Sequence, residues 1–238
     1  MMSHLYTALV AWKRAGSGAA AVLAFALMLP APQAILGKEA PPKVSEEGLE
    51  LKTETKQRLV YLRPGANFTP YTRVALLDCY IEFSKSWLRD YNNSVRDPSA
   101  KISQKDLDRA KTDLSAKFKK IFSDELTQGG YQVTDQGGPD VLVLRPALIN
   151  IAVSAPDLMT PGRSMTFAES SGQMTLYLEL WDGNTILARV LDTQGDSGIY
   201  GERKTSVSNQ AAADRILRAW AAELRKKLEL AKGKSTAP

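Results

Sequence analysis

The sequence predicts one α+β domain, built as a mixed or antiparallel sheet of about five strands with two amphipathic helices packed on one face. Three observations predict it. Two long stretches carry apolar residues at helical spacing, several short stretches alternate with period two or are apolar throughout, and Cys79 is the only cysteine. With 238 residues, 44% of them hydrophobic and 24% charged, the chain has ordinary globular composition and enough length for a single core.

The elements come in order. Leu59-Val60-Tyr61-Leu62 reads as a short strand stopped by Arg63-Pro64-Gly65, where Pro and Gly impose a turn. Val74 to Phe83 reads as one strand, with Ala75, Leu77, Cys79, Ile81 and Phe83 on the buried face and Asp78, Tyr80 and Glu82 on the other. Cys79 is therefore expected to be a small buried apolar residue. Between Ser103 and Gln128 the period turns helical, with Leu107, Ala110, Leu114, Phe118, Ile121 and Phe122 in one stripe. Ser103 and Asp106 have capping-box spacing, and Gly129-Gly130 ends the helix.

Tyr131 to Thr134 reads as a brief strand, and Asp140 to Val153 as a long apolar one buried on both faces, in which Pro146 must interrupt the ladder or sit at a bulge. Ser154 to Gly172 reads as a long loop. A hairpin comes next: Met174, Leu176, Leu178 and Leu180 alternate with Thr175, Tyr177, Glu179 and Trp181, Asp182-Gly183-Asn184 turns the chain, and Thr185 to Leu191 returns. The last helix runs from about Ser208 to Lys232, with Leu217, Trp220, Ala221, Leu224 and Leu228 on one face. Trp220 is expected as a core anchor.

Residues 1–37 read as a signal peptide, with an uncleaved N-terminal anchor as the alternative. They contain no acidic residue, Lys13 and Arg14 precede the apolar run Ala15 to Leu29, and that run is shorter than the span of about 20 residues a bilayer needs. Residues 38–56, rich in Lys, Glu and Pro, read as a solvated tether, 57–232 as the folded domain and 233–238 as a disordered tail. The chain is thus expected in the periplasm, without a transmembrane span once the leader is cleaved, and with peripheral membrane association open to it.

Composition narrows the chemistry. The single His, His4, lies in the leader, which removes His-based nucleophilic, acid-base and zinc chemistry from the rest of the chain. One Cys allows neither an intramolecular disulfide nor a thiolate cluster. A charge of +5, from 31 basic and 26 acidic residues interspersed along the chain, does not form the stripe that nucleic acid requires. Gly137-Gly138-Pro139 lacks the spacing and the Lys of a phosphate-binding loop. No cofactor is expected.

Four charged residues stand out. Arg63 and Arg145 each precede a Pro, and Arg145 lies inside an apolar strand, where a cation needs a carboxylate or backbone oxygens to offset desolvation. Asp78 or Glu82 would supply that partner and make Arg145 structural; the alternative is anion recognition. Asp78 and Glu82 also resemble an acid and base pair, although solvated charges on a strand face are commoner. Trp87, Tyr91 and Asn93, together with the apolar residues of the 154–172 loop, either mark a binding rim or pack back onto the sheet.

The chain resembles the bacterial envelope proteins grouped as domain of unknown function 3313, most of them predicted lipoproteins. The resemblance rests on Tyr61-Leu62-Arg63-Pro64-Gly65-Ala66 with Phe68 and Tyr71, on Gly130-Tyr131-Gln132-Val133, on Val141 to Leu148, and on the hairpin followed by a Trp-bearing helix. It covers about residues 50 to 230, and its weight lies in the order of the pieces. The sequence departs from the pattern in having no Cys after the apolar run to accept a lipid. The resemblance implies an envelope location and carries no established activity. The functional expectation is a non-catalytic binding or assembly module for a protein, lipid or glycan partner of the envelope; the alternative is a carboxylate-based hydrolase acting on an envelope polymer.

Overall fold

A computed structural model describes residues 40–153, 172–195 and 206–233. The chain divides into two compact units, Met1–Ala40 and Pro41–Pro238. The second unit carries the strands β1 (Glu50–Glu54), β2 (Arg58–Leu62), β3 (Arg73–Leu76), β4 (Tyr80–Phe83), β5 (Gln132–Val133), β6 (Val141–Val153), β7 (Gly172–Asp182) and β8 (Thr185–Gly195). Its α-helices are α1 (Trp87–Ser94), α2 (Gln104–Gln128) and α3 (Ser206–Ala231). One mixed eight-stranded sheet runs β1-β2-β8-β7-β6-β3-β5, with β4 also paired to β6.

The mixed sheet and the two long helices agree with expectation; the counts do not. The sheet has eight strands rather than about five: Glu50–Glu54, expected as tether, is the edge strand β1, and the strand expected over Val74 to Phe83 is two, while the brief strand expected over Tyr131 to Thr134 forms as β5. Both β3 and β4 pair parallel with β6, β3 along Val141 to Leu144 and β4 from Ala147 onward. The break at residues 77–79 inverts the alternation. Val74 and Leu76 face the core before it and Cys79 and Ile81 after it, so Leu77 is 36% exposed and does not share the buried face. The third helix, α1, has only eight residues, too few to register as a period.

Pro146 explains where the break falls. The carbonyl of Leu144 accepts from Leu77 N–H, so that edge of β6 faces β3. Two residues on, Pro146 presents its ring nitrogen to the same edge, in the interval that neither β3 nor β4 covers. Further along, Asn150 adopts φ 52° at a bulge where β6 has one residue more than either neighbour. Asn is among the few side chains that tolerate this left-handed conformation. The bulge keeps Leu148 and Ile151 on one face.

The capping box is formed: Asp106 N–H donates to Ser103 Oγ at 3.2 Å, and Ser103 N–H donates back to the Asp106 carboxylate at 3.0 Å. Gly130, at φ 82°, ends the helix as the sequence suggests. Phe118, Ile121, Phe122 and Leu126 of α2 and Leu217, Trp220, Ala221 and Leu228 of α3 bury their stripes against Leu142, Leu144, Leu148, Leu176 and Leu178 of the sheet. Phe118 and Phe122 are 0% exposed with ring centroids 3.9 Å apart, and truncating a ring so placed costs about 3–5 kcal/mol. Ion pairs Glu125–Arg225 at 2.8 Å and Lys117–Asp214 at 2.7 Å join the two helices.

The stretch expected as a tether folds from Pro41 onward. Leu49 is fully buried with Tyr61 and Ile186, Tyr61 donates to the Pro42 carbonyl at 3.0 Å, and Glu50–Glu54 pairs with β2. One buried Leu among charged residues gives little periodic signal, and it anchors the segment across the face of the sheet opposite the helices. The loop expected over Ser154 to Gly172 and the tail 233–238 lie almost wholly outside the described residues.

Candidate functional site

Antiparallel register places Arg145 of β6, Glu179 of β7, Arg189 of β8 and Tyr61 of β2 in one cross-strand row on the face turned away from α2 and α3. Along β7, Tyr177 and Trp181 flank Glu179 on that face, while Leu176, Leu178 and Leu180 face the helices. Glu179 and Arg189 are buried, at 5% and 6% exposure.

Both oxygens of Glu179 are engaged. Its Oε1 accepts from Tyr177 Oη at 2.5 Å and from Arg189 Nε and Nη2 at 3.0 and 2.9 Å; its Oε2 accepts from Trp181 Nε1 at 2.9 Å. Arg189 continues to the Glu47 carboxylate, with Nη2 at 2.8 Å and Nη1 at 3.2 Å. Burial, joined by the charge of Glu179, pushes the Tyr177 phenol far above its usual range. Burial also opposes the charged form of Arg189, but the bond to Glu47 and the charge of Glu179 outweigh it and hold the guanidinium above its ordinary value. A carboxylate held by four donors positions its neighbours and is not a free base.

Arg145 is different. Its guanidinium lies over the Trp181 ring, 4.3 Å from the centroid, and its Nε is buried without a hydrogen-bond partner. The carboxylates expected to pair with it are elsewhere. Asp78 sits in the break between β3 and β4, exposed, and takes Lys119 at 3.0 Å; Glu82 lies on β4 and forms no ion pair with Arg145. The break also separates these two acids, so they do not share one strand face. Arg63 is bonded to the backbone: its Nε donates to the Ile186 carbonyl at 2.6 Å and its Nη2 to the Glu47 carbonyl at 3.1 Å, satisfying oxygens at the hairpin and the 41–49 segment.

Other candidates resolve toward packing. Trp87 and Tyr91 are buried in a satellite cluster with Ile102 and Leu107, and Asn92 clamps both backbone groups of Ile102, at 2.8 and 2.9 Å. Cys79 is 5% exposed and burial pushes its thiol well above the ordinary value, so it is an inert core residue. Trp220 is a core anchor whose Nε1 donates to Asp192. Among the described residues, no group of three or more His, Cys, Asp or Glu is placed to hold a metal, and no helix is long and apolar enough to cross a membrane.

Nothing in the sequence singles out Glu179, Arg189 and Trp181 as a site, because a bulge hides their pairing. The turn joins Asp182 to Thr185, and a regular ladder from there sets Glu179 opposite Ala188. An extra residue, Leu187, shifts the register so that Glu179 meets Arg189. Opposite charges near one hairpin are the only hint the sequence carries.

The family model described as Protein of unknown function (DUF3313) matches residues 42–224. No curated protein matches. Among solved structures, the chain is similar to the PelC dodecamer from Paraburkholderia phytofirmans, at 13% identity over 68% of this chain and 96% of that one, with a TM-score of 0.36. It is also similar to a minor lipoprotein from Acinetobacter baumannii, at 11% identity over 69% and 95%, with a TM-score of 0.33. A DUF4136 family protein from Bacteroides thetaiotaomicron shares 12% identity over 76% and 100%, with a TM-score of 0.32. At these scores the likeness bears on neither function nor assembly.

Proposed function

The chain belongs to the DUF3313 family, and on that premise we propose that it is an exported envelope protein that holds a partner without turning it over. The binding surface is the part of the sheet face opposite α2 and α3 that borders the break between β3 and β4. The observation that carries this reading is the notch between β3 and β4. Leu77, 36% exposed, and Tyr80, 40% exposed, flank it; Tyr80 pairs in register with Ala147, two residues from Arg145 on the same face of β6. Exposed apolar side chains around a cation are a contact surface more than a reaction centre. Nothing in the placement of Asp78 and Glu82 favours the hydrolase alternative.

Export is supported by the acid-free leader with its basic pair and short apolar run, and by a compact unit that begins at Pro41, just past the expected cleavage. Photo-crosslinking in intact bacteria tests both parts of the proposal. A photoreactive residue at Leu77 or Tyr80 is expected to give a discrete adduct in the periplasmic fraction that the same residue at Lys105, exposed on α2, does not give. Equal adducts from all three positions, or full-length protein beginning at Met1 in the cytosol, would overturn it.

A further inference from the structure

We propose that Arg145 is an oxyanion receptor, and that the ligand of this face presents a carboxylate or phosphate group to its Nε–Nη edge. The inference rests on the binding reading above and names the chemistry recognised. A guanidinium carries five N–H donors in a planar fork. Among the described residues, that of Arg145 engages only the Trp181 ring, and its Nε–H is buried with no acceptor. A buried charged donor left unmatched is costly, and a folded protein that keeps one calls for an explanation, among which are an ordered water, an ion or a ligand.

The nearest anion cannot serve. Glu179 faces Arg145 across the ladder, yet both of its oxygens are taken by Tyr177, Trp181 and Arg189. The network instead makes Arg145 rigid. Glu179 fixes the Trp181 indole through Nε1, and the indole face holds the guanidinium plane. Arg189 and Glu47 lock Glu179 from the other side. A fork held in one orientation suits two oxygens of one group, the geometry of carboxylate and phosphate recognition.

Next to Arg145 on β6 is Pro146, beside the interval that neither β3 nor β4 covers, and exposed Leu77 and Tyr80 border that interval. Their apolar surfaces would take the body of a molecule whose anionic group reaches the guanidinium.

The test uses the secreted chain and follows the Arg145 Nε–H signal by NMR while inorganic phosphate, citrate, or vesicles of phosphatidylglycerol or phosphatidylcholine are added. A saturable shift with phosphate or citrate supports a free or polymer-borne oxyanion. A shift with phosphatidylglycerol vesicles alone assigns the group to a lipid headgroup. Arg145→Gln is expected to weaken binding at least about tenfold, and Arg145→Lys to recover only part, because the charge returns without the fork. No Nε–H shift with any probe overturns the proposal, as does unchanged binding by folded Arg145→Gln. Crosslinking from Leu77 or Tyr80 without an Nε–H shift sinks this inference alone; a shift without an adduct sinks only the partner reading.

Discussion

The indole Nε1–H of Trp220 donates to the carboxylate of Asp192 at 2.9 Å, joining α3 to β8 inside the core. Asp192 is 4% exposed and also pairs with Arg58, whose other contact is Glu223 on the same helix. The carboxylate is therefore the point at which β2, β8 and α3 meet. Asp192→Ala leaves the indole N–H unmatched and Arg58 with one partner, and is expected to cost about 3 kcal/mol. Urea unfolding checks it; a midpoint equal to wild type would show that the clamp contributes nothing.

Asn150 is the second test. Its φ of 52° suits Gly at least as well as Asn, so Asn150→Gly is expected to change stability by less than about 0.5 kcal/mol. Asn150→Val, β-branched in the same conformation, is expected to lose about 1–2 kcal/mol. If thermal melts rank the two variants the other way, the left-handed bulge does not exist in solution.

Cys79 is expected to resist thiol reagents in the native state at about pH 8, since burial holds it protonated and out of reach, and to react rapidly once denaturant is added. Labelling followed by mass measurement reads the difference. Rapid native labelling would show that the break between β3 and β4 opens far more than its packing allows.

Acid should weaken the protein partly through Asp140. Arg73 holds its carboxylate with two bonds, at 2.7 and 3.0 Å, and Thr72 adds a third at 2.9 Å, which keeps this carboxyl well below the usual carboxylate range. The folded value lies below the unfolded one, so the contribution is complete above about pH 4 and is lost as pH falls toward the folded value. Asp140→Asn is expected to be less stable than wild type at about pH 7, with the gap narrowing by about pH 3. Urea midpoints at the two pH values decide it, and a gap that widens in acid would reverse the assignment.

Much of the fold is legible in the sequence because the responsible forces are local. The stripe on α2, its Ser103–Asp106 cap and the turn at Gly183 are each written in a few adjacent residues, and the structure forms them all. The features that escape the sequence depend on partners distant along the chain. The phase of Leu77 and Cys79 is set by Pro146, some seventy positions away in β6, and the meeting of Glu179 with Arg189 by a bulge at Leu187. Leu49 gives no signal because one apolar residue in a charged stretch has no period. Arg145 is visible as an anomaly, a cation in an apolar strand. Its stacking on Trp181 is not, because that contact depends on the register between β6 and β7.

Pro146 has one more effect. An open stretch of backbone in the middle of a sheet is a template on which a stray segment of a neighbouring molecule can zip, the route to domain exchange and fibre growth. With no N–H at that point, the stretch of β6 that neither β3 nor β4 pairs offers an intruder no donor where it would need one. The same residue that splits the parallel half of the sheet thus guards the gap it creates against another polypeptide backbone.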